Sequence, residues 1–199
     1  MLDILEGLFG SKTKVRMMRF FLLNSNKEFS AADIVERNKL NKNEVRKELG
    51  LFEKIKLITS STKKRKKHYK INKEFVFYTE LEKLISMSSV SPQCSSLKKV
   101  EGIGSVKLAL VSGIFMNYSK SRLDLLLVAD NISRIKLKKL IENLEAEVGK
   151  EIRYMVLNSE ELSYRLDMLD RFLIEFFKSP HSVVINKIPR FKNIVSGVK

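Results

Sequence analysis

Apolar and polar positions along this chain divide it into a helical first third and a mixed remainder. Residues 12–24 place Val15, Met17, Met18, Phe20, Phe21, Leu22 and Leu23 among Lys and Arg, which predicts a helix with a wide apolar face. Asn24-Ser25-Asn26 then supplies turn chemistry. Ser30, with Asp33 three positions on, forms a capping-box pattern that opens a short helix to about Asn38, with Ala32, Ile34 and Val35 able to pack inward. A turn around Lys39 and Leu40 leads to Asn41, with Glu44 as a second capping pair. The helix predicted over 41–55 puts Val45, Leu49 and Phe52 on one face and Asn43, Lys47, Gly50 and Lys54 on the other, with Arg46 on its edge. A hairpin follows: strand 57–60, a tip over 61–67 reading Ser-Thr-Lys-Lys-Arg-Lys-Lys, and a returning strand 68–71.

Residues 75–88 predict another helix, with Phe77, Leu81, Leu84 and Ile85 apolar. It is available to pack on the first domain, to pair with a second copy, or to act as an arm. The run 88–96 (Ser-Ser-Val-Ser-Pro-Gln-Cys-Ser-Ser) is the best linker candidate. Beyond it the pattern alternates: strands at 106–111, 123–128 and 152–157, helices at 133–148 and 160–178, the second ending before Pro180, and a last short strand at 183–186. The expected fold class is α+β. A helical domain with a hairpin covers residues 1–73, a connecting helix and Ser-rich linker 74–96, and a small α/β domain 97–199.

Composition sharpens this picture where it concerns charge. At 199 residues, 44% hydrophobic and 31% charged, the chain has the make-up of a globular protein with room for two modest domains. Its formal charge is +15 and its pI about 9.8, so acidic surfaces are the expected partners. Residues 1–73 hold 19 of the 38 Lys and Arg but only 8 of the 23 Asp and Glu, so the basic character belongs mainly to the first third. The single cysteine, Cys94, has no internal disulfide partner, which fits a reducing compartment. No apolar run approaches 18 residues, and the first ten residues carry two acids and no base, so neither a membrane span nor a signal peptide is expected. The expected location is the cytoplasm.

Three short helices and a basic hairpin describe a winged helix-turn-helix, and residues 12–72 resemble the winged helix-turn-helix domains of bacterial and archaeal transcriptional regulators. The resemblance implies that the third helix enters a DNA major groove while the wing lies along the backbone or minor groove. Asn43, Arg46 and Lys47 are then groove-facing, and Lys63, Lys64, Arg65, Lys66 and Lys67 sit on the wing; Lys42 and Lys54 complete the candidate contacts. Amide and guanidinium groups make paired hydrogen bonds to adenine and guanine edges, whereas wing lysines supply affinity without sequence information. The plainer reading of the same residues is a solvated helix face and a flexible lysine-rich loop. Gly50 is either a weak point of the helix or a place of close backbone approach.

Residues 106–162 resemble a nucleotidyltransferase fold that has lost its chemistry. Active members of that superfamily follow a strand with Gly-Ser and place Ser-Asp-x-Asp-Leu on the next strand, with a third carboxylate later, so that carboxylates hold divalent metal at a nucleoside triphosphate. Here Ser112-Gly113-Ile114-Phe115 lacks that serine, and Ser121-Arg122-Leu123-Asp124-Leu125 has Arg122 where the first aspartate belongs. The third strand, 152–157, contains no acid. Asp124 then reads as a capping or packing acid, and no catalytic residue, metal or cofactor is expected. The whole chain, including residues 164–177 and 179–187, resembles two-domain prokaryotic proteins described as nucleotidyltransferase-like transcriptional regulators.

Other chemistry-bearing residues read blandly. His68 and His181 lie in different domains without a Cys or acidic cluster to complete a metal site. Cys94 has no nearby His. Phe172, Phe176 and Phe177 at helical spacing are core candidates, and Tyr69 either stacks on a nucleotide or packs inward. The expectation is a cytoplasmic, homodimeric, sequence-specific regulator that binds double-stranded DNA, without enzymatic activity. Its rivals are a nucleotidyltransferase-fold enzyme and an RNA-binding or antitoxin-like module.

Overall fold

The computed structural model describes residues 4–63, 65–88 and 94–189. The fold is mixed α+β with two sheets. It divides into two compact units, the first running to Ser88 and also holding Glu145–Glu151, the second formed by the rest of the chain.

In the first unit, helices α1 (Ile4–Phe9) and α2 (Lys12–Leu23) precede a two-residue strand β1 (Phe29–Ser30). Helices α3 (Ala31–Asn38) and α4 (Lys42–Lys54) then lead to strands β2 (Ile58–Lys63) and β3 (Lys66–Ile71), and α5 (Tyr78–Met87) closes the unit. Side chains cap the starts of α2 and α3. Ser11 caps α2 by accepting from Lys14 N. The capping box expected at α3 is present in both directions, with Ser30 Oγ accepting from Asp33 N and Asp33 Oδ2 accepting from Ser30 N. Lys39, in the left-handed region at φ 48°, turns the chain between α3 and α4. The strands form an antiparallel sheet of order β1-β3-β2, with Ser60 opposite Tyr69 and Lys63 opposite Lys66. Val15, Phe20, Phe21, Ile34, Val45, Leu49, Phe52, Ile58 and Ile71 build one apolar core. Of the three roles open to the helix after the hairpin, α5 packs on this core through buried Ile85, with Phe75, Tyr78 and Leu81 against it.

Two elements here carried no sequence signal that was read. The first is α1, a single-turn-scale helix of 6 residues. The second is β1, too short to show a period of two, which pairs with β3 because Phe29 opposite Tyr69 also buries its ring in the core.

The second unit opens with buried Cys94 and a 3₁₀ helix (Ser95–Ile103). Strand β4 (Ser105–Val111), a 3₁₀ turn (Gly113–Met116) and strand β5 (Leu125–Asp130) follow, then α6 (Arg134–Val148), β6 (Tyr154–Leu157), α7 (Ser159–Asp167), α8 (Arg171–Lys178) and β7 (Ser182–Asn186). The sheet order is β6-β5-β4-β7, antiparallel except for β5 with β6. Leu125 through Ala129 are all buried, which is why this strand reads as an unbroken apolar run rather than an alternation. Leu108, Leu110, Leu126, Val128, Leu173, Phe176 and Phe177 form a core, with Phe172 partly buried against it.

The single helix expected over 160–178 is two helices. Asp170 Oδ1 accepts from Phe172 N at 2.8 Å and Leu173 N at 3.3 Å, starting α8 afresh, and Leu169 takes a left-handed φ of 53° to let it. An N-cap aspartate inside an apolar-periodic run competes with helix continuation. Part of the expected linker, residues 89–93, lies outside the described residues. Among the described residues no helix is long and apolar enough to cross a membrane.

Candidate nucleic-acid interface

Helix α4 is held at its start by Asn41, whose Oδ1 accepts from Asn43 N at 2.8 Å and Glu44 N at 3.4 Å. The reciprocal half expected of Glu44 goes elsewhere: its carboxylate accepts from the Thr13 hydroxyl on α2, so this acid ties two helices together. Val45, Leu49 and Phe52 are fully buried, and that fixes which face α4 turns outward. Lys42, Asn43, Arg46, Lys47, Gly50 and Lys54 are all exposed. Among the described residues, Lys42, Arg46, Lys47 and Lys54 form no ion pair. Open space surrounds Gly50, where an added Cβ would meet nothing within 4 Å.

The hairpin is longer and its tip tighter than the run 61–67 predicted. Its strands continue to Lys63 and Lys66, and Arg65 turns the chain at φ 61°. Lys64 lies outside the described residues. The basic positions are not equivalent. Lys63 Nζ sits 2.8 Å from Glu28, which also accepts from Ser61 Oγ at 3.3 Å. Lys67 Nζ sits 2.8 Å from both carboxylate oxygens of Glu53 and 5.4 Å above the Tyr69 ring, and Ser60 Oγ donates to Glu53 at 2.5 Å. Among the described residues, Arg65 and Lys66 have no ion pair. Tyr69 takes the inward option and packs against the core.

These pairings shift ionisation. The hydrogen bond from Lys63 holds the Glu28 carboxyl below its ordinary value. Bonds from Lys67 and then Ser60 do the same for Glu53, and the Glu53 bond raises Lys67. Sequence reading missed both acids. Glu53 stands at a half-buried edge of α4, and only the hairpin register reveals that it reaches Ser60 and Lys67.

In the second unit the motif residues meet around one carboxylate. Asp124 is 2% exposed. It accepts from Ile114 N at 3.0 Å, Arg153 N at 2.8 Å, and Arg153 Nε and Nη2 at 2.9 Å each. Burial pushes its pKa up, but the Arg153 and Ile114 bonds outweigh that, leaving the carboxyl below its ordinary value. Gly113 makes room for it: at φ +52° its position is left-handed, and a Cβ there would lie 2.0 Å from Asp124 Oδ1. Arg122 points away to Glu175 at 3.8 Å, on a shallow cleft that Tyr118, Lys120 and Phe172 also line. Among the described residues no three His, Cys, Asp or Glu gather as a metal site. The His68 ring lies against Lys66 O, and His181 stacks on Phe176.

Comparison of the chain with protein-family models, with curated proteins and with solved structures finds no match.

Proposed function

We propose that the first unit is a winged helix-turn-helix and that the chain is a sequence-specific regulator of transcription acting on double-stranded DNA. In this reading α4 enters the major groove, with Asn43, Arg46 and Lys47 at base edges and Lys42 and Lys54 on flanking phosphates. The β2–β3 hairpin is the wing, and Arg65, Lys66 and Lys64 meet the backbone. The supporting observation is the outward face of α4, where Lys42, Arg46, Lys47 and Lys54 are exposed without an ion pair among the described residues, on the same unit as the basic hairpin. The partner is a second copy as well as DNA, because one such module makes few base contacts and two-fold pairing doubles them.

For the second unit, which we take to be a degenerate nucleotidyltransferase-like domain, the reading is non-enzymatic. The guanidinium of Arg153 occupies both oxygens of Asp124, the one carboxylate of the motif, where a cation would otherwise bind. Genome-wide occupancy tests the function directly. Sharp peaks sharing one motif are expected, and diffuse coverage of the genome would contradict sequence-specific regulation.

A further inference from the structure

Side chains alternate across a strand, and directly paired residues share a face. Ser60, Thr62, Lys67 and Tyr69 therefore lie on one face of the hairpin, and Ser61, Lys63, Lys66 and His68 on the other. Glu53 of α4 grips the first face through Ser60 and Lys67. Glu28, just before β1, grips the second through Ser61 and Lys63. One acid on each face thus clasps the hairpin, and Glu53 ties it to the helix that carries Asn43, Arg46 and Lys47.

We propose that Glu53 is a positioning residue that, with Glu28, sets the hairpin against α4 and withholds Lys67 and Lys63 from nucleic-acid phosphates. The inference rests on the duplex-binding reading above. Stability is not what the clasp is for: these are surface pairs, with the lysine side chains 59% and 48% exposed, and such pairs contribute little to folding. Its consequence lies in counterion accounting. A lysine that leaves its glutamate for a phosphate exposes that carboxylate to the polyanion, so each clasped pair counts as neutral. Arg65 and Lys66 keep their charge for the backbone, and the clasped lysines hold the wing in one orientation while the affinity common to all sequences stays low.

The test uses the full chain and a 30-base-pair duplex of random sequence, with affinity followed by fluorescence anisotropy across a potassium chloride series. Arg65→Ala and Lys66→Ala should each reduce the slope of log affinity against log salt by about 0.9. The double variant Glu53→Gln with Lys67→Ala, which removes both charges of the neutral pair, should leave it unchanged. Glu53→Gln, which keeps an acceptor for Ser60 but drops the charge, should raise the slope by about 0.9. Selection from a random duplex pool should also give Glu53→Gln a less defined motif than the unsubstituted chain. A double-variant slope that falls as far as that of Lys66→Ala, or an unchanged slope in Glu53→Gln, would overturn the role. Should Glu53→Gln fail to fold, Glu28→Gln, which frees Lys63 at an exposed position, should raise the slope by the same amount, and an unchanged slope there overturns the role. An unsubstituted chain that does not hold the duplex at all overturns the underlying reading instead.

Discussion

Asp124 illustrates how the surroundings of one side chain decide what it does. Three donors from Arg153 and one from the Ile114 backbone converge on a carboxylate that is almost wholly buried. Its ionised form is held in place, joining the start of β5, the residue before β6 and the Gly113 turn. Because its folded pKa is depressed, this contribution is fully present above the ordinary aspartate value near 3.8 and is lost as pH falls through the lower folded value. Asp124→Asn should therefore cost about 2–3 kcal/mol at pH 7, toward the low end for broken buried pairs because Arg153 is half exposed. The gap between variant and unsubstituted chain in thermal melts should narrow toward pH 2, and a gap independent of pH would show that the charge is not what holds the site. Gly50 is the second residue with a clear expectation. Gly50→Ala should stabilise the chain by about 1 kcal/mol, since the helix gains propensity and the new methyl meets open space. Chemical denaturation checks the sign.

At the level of elements, the helices and strands whose apolar spacing spans several turns were legible in the sequence. Val45, Leu49 and Phe52 orient α4, Ser30 and Asp33 start α3, and the run Leu125–Leu126–Leu127–Val128 announces a strand. What escaped were features set by contacts distant along the chain or by competition within it. The Glu44 carboxylate prefers Thr13 on α2, 31 positions earlier, to its own cap, and no local pattern states that. The break between α7 and α8 comes from Asp170 outcompeting a strong apolar period. The candidate site follows the same division: the outward residues of α4 were readable by periodicity, whereas the ion pairs that set Lys63 and Lys67 apart from Arg65 and Lys66 depend on hairpin register. If α4 reads bases, Arg46→Ala should cost about 1–3 kcal/mol on a selected duplex and much less on a random one. Equal losses on both, measured by anisotropy at one salt concentration, would assign Arg46 to phosphate instead.

At the scale of the whole molecule, a chain of charge +15 repels copies of itself, so association needs a face poor in cations. Helix α5 carries Glu80 and Glu82 against Lys83, and with its approach it exposes Val76 (76%), Phe77 (59%) and Met87 (81%). Leu81 packs against the core of its unit while Leu84 is exposed, so the pairing surface of the proposed dimer runs over Phe77, Leu84 and Met87. Light scattering should give about twice the 23.0 kDa chain mass, and Phe77→Asp with Met87→Asp should return it to the single-chain value with circular dichroism unchanged. A single-chain mass for the unsubstituted protein at micromolar concentration would remove the dimer from the account and leave the reading of DNA by α4 intact. That reading is the central claim, and the most direct test is selection by the full chain from a pool of random DNA duplexes in the presence of excess duplex RNA. The account predicts enrichment of one DNA motif, arranged as inverted half-sites, with no loss to the RNA competitor. A pool that remains random after repeated rounds, or a chain drawn off entirely by the RNA, would contradict it.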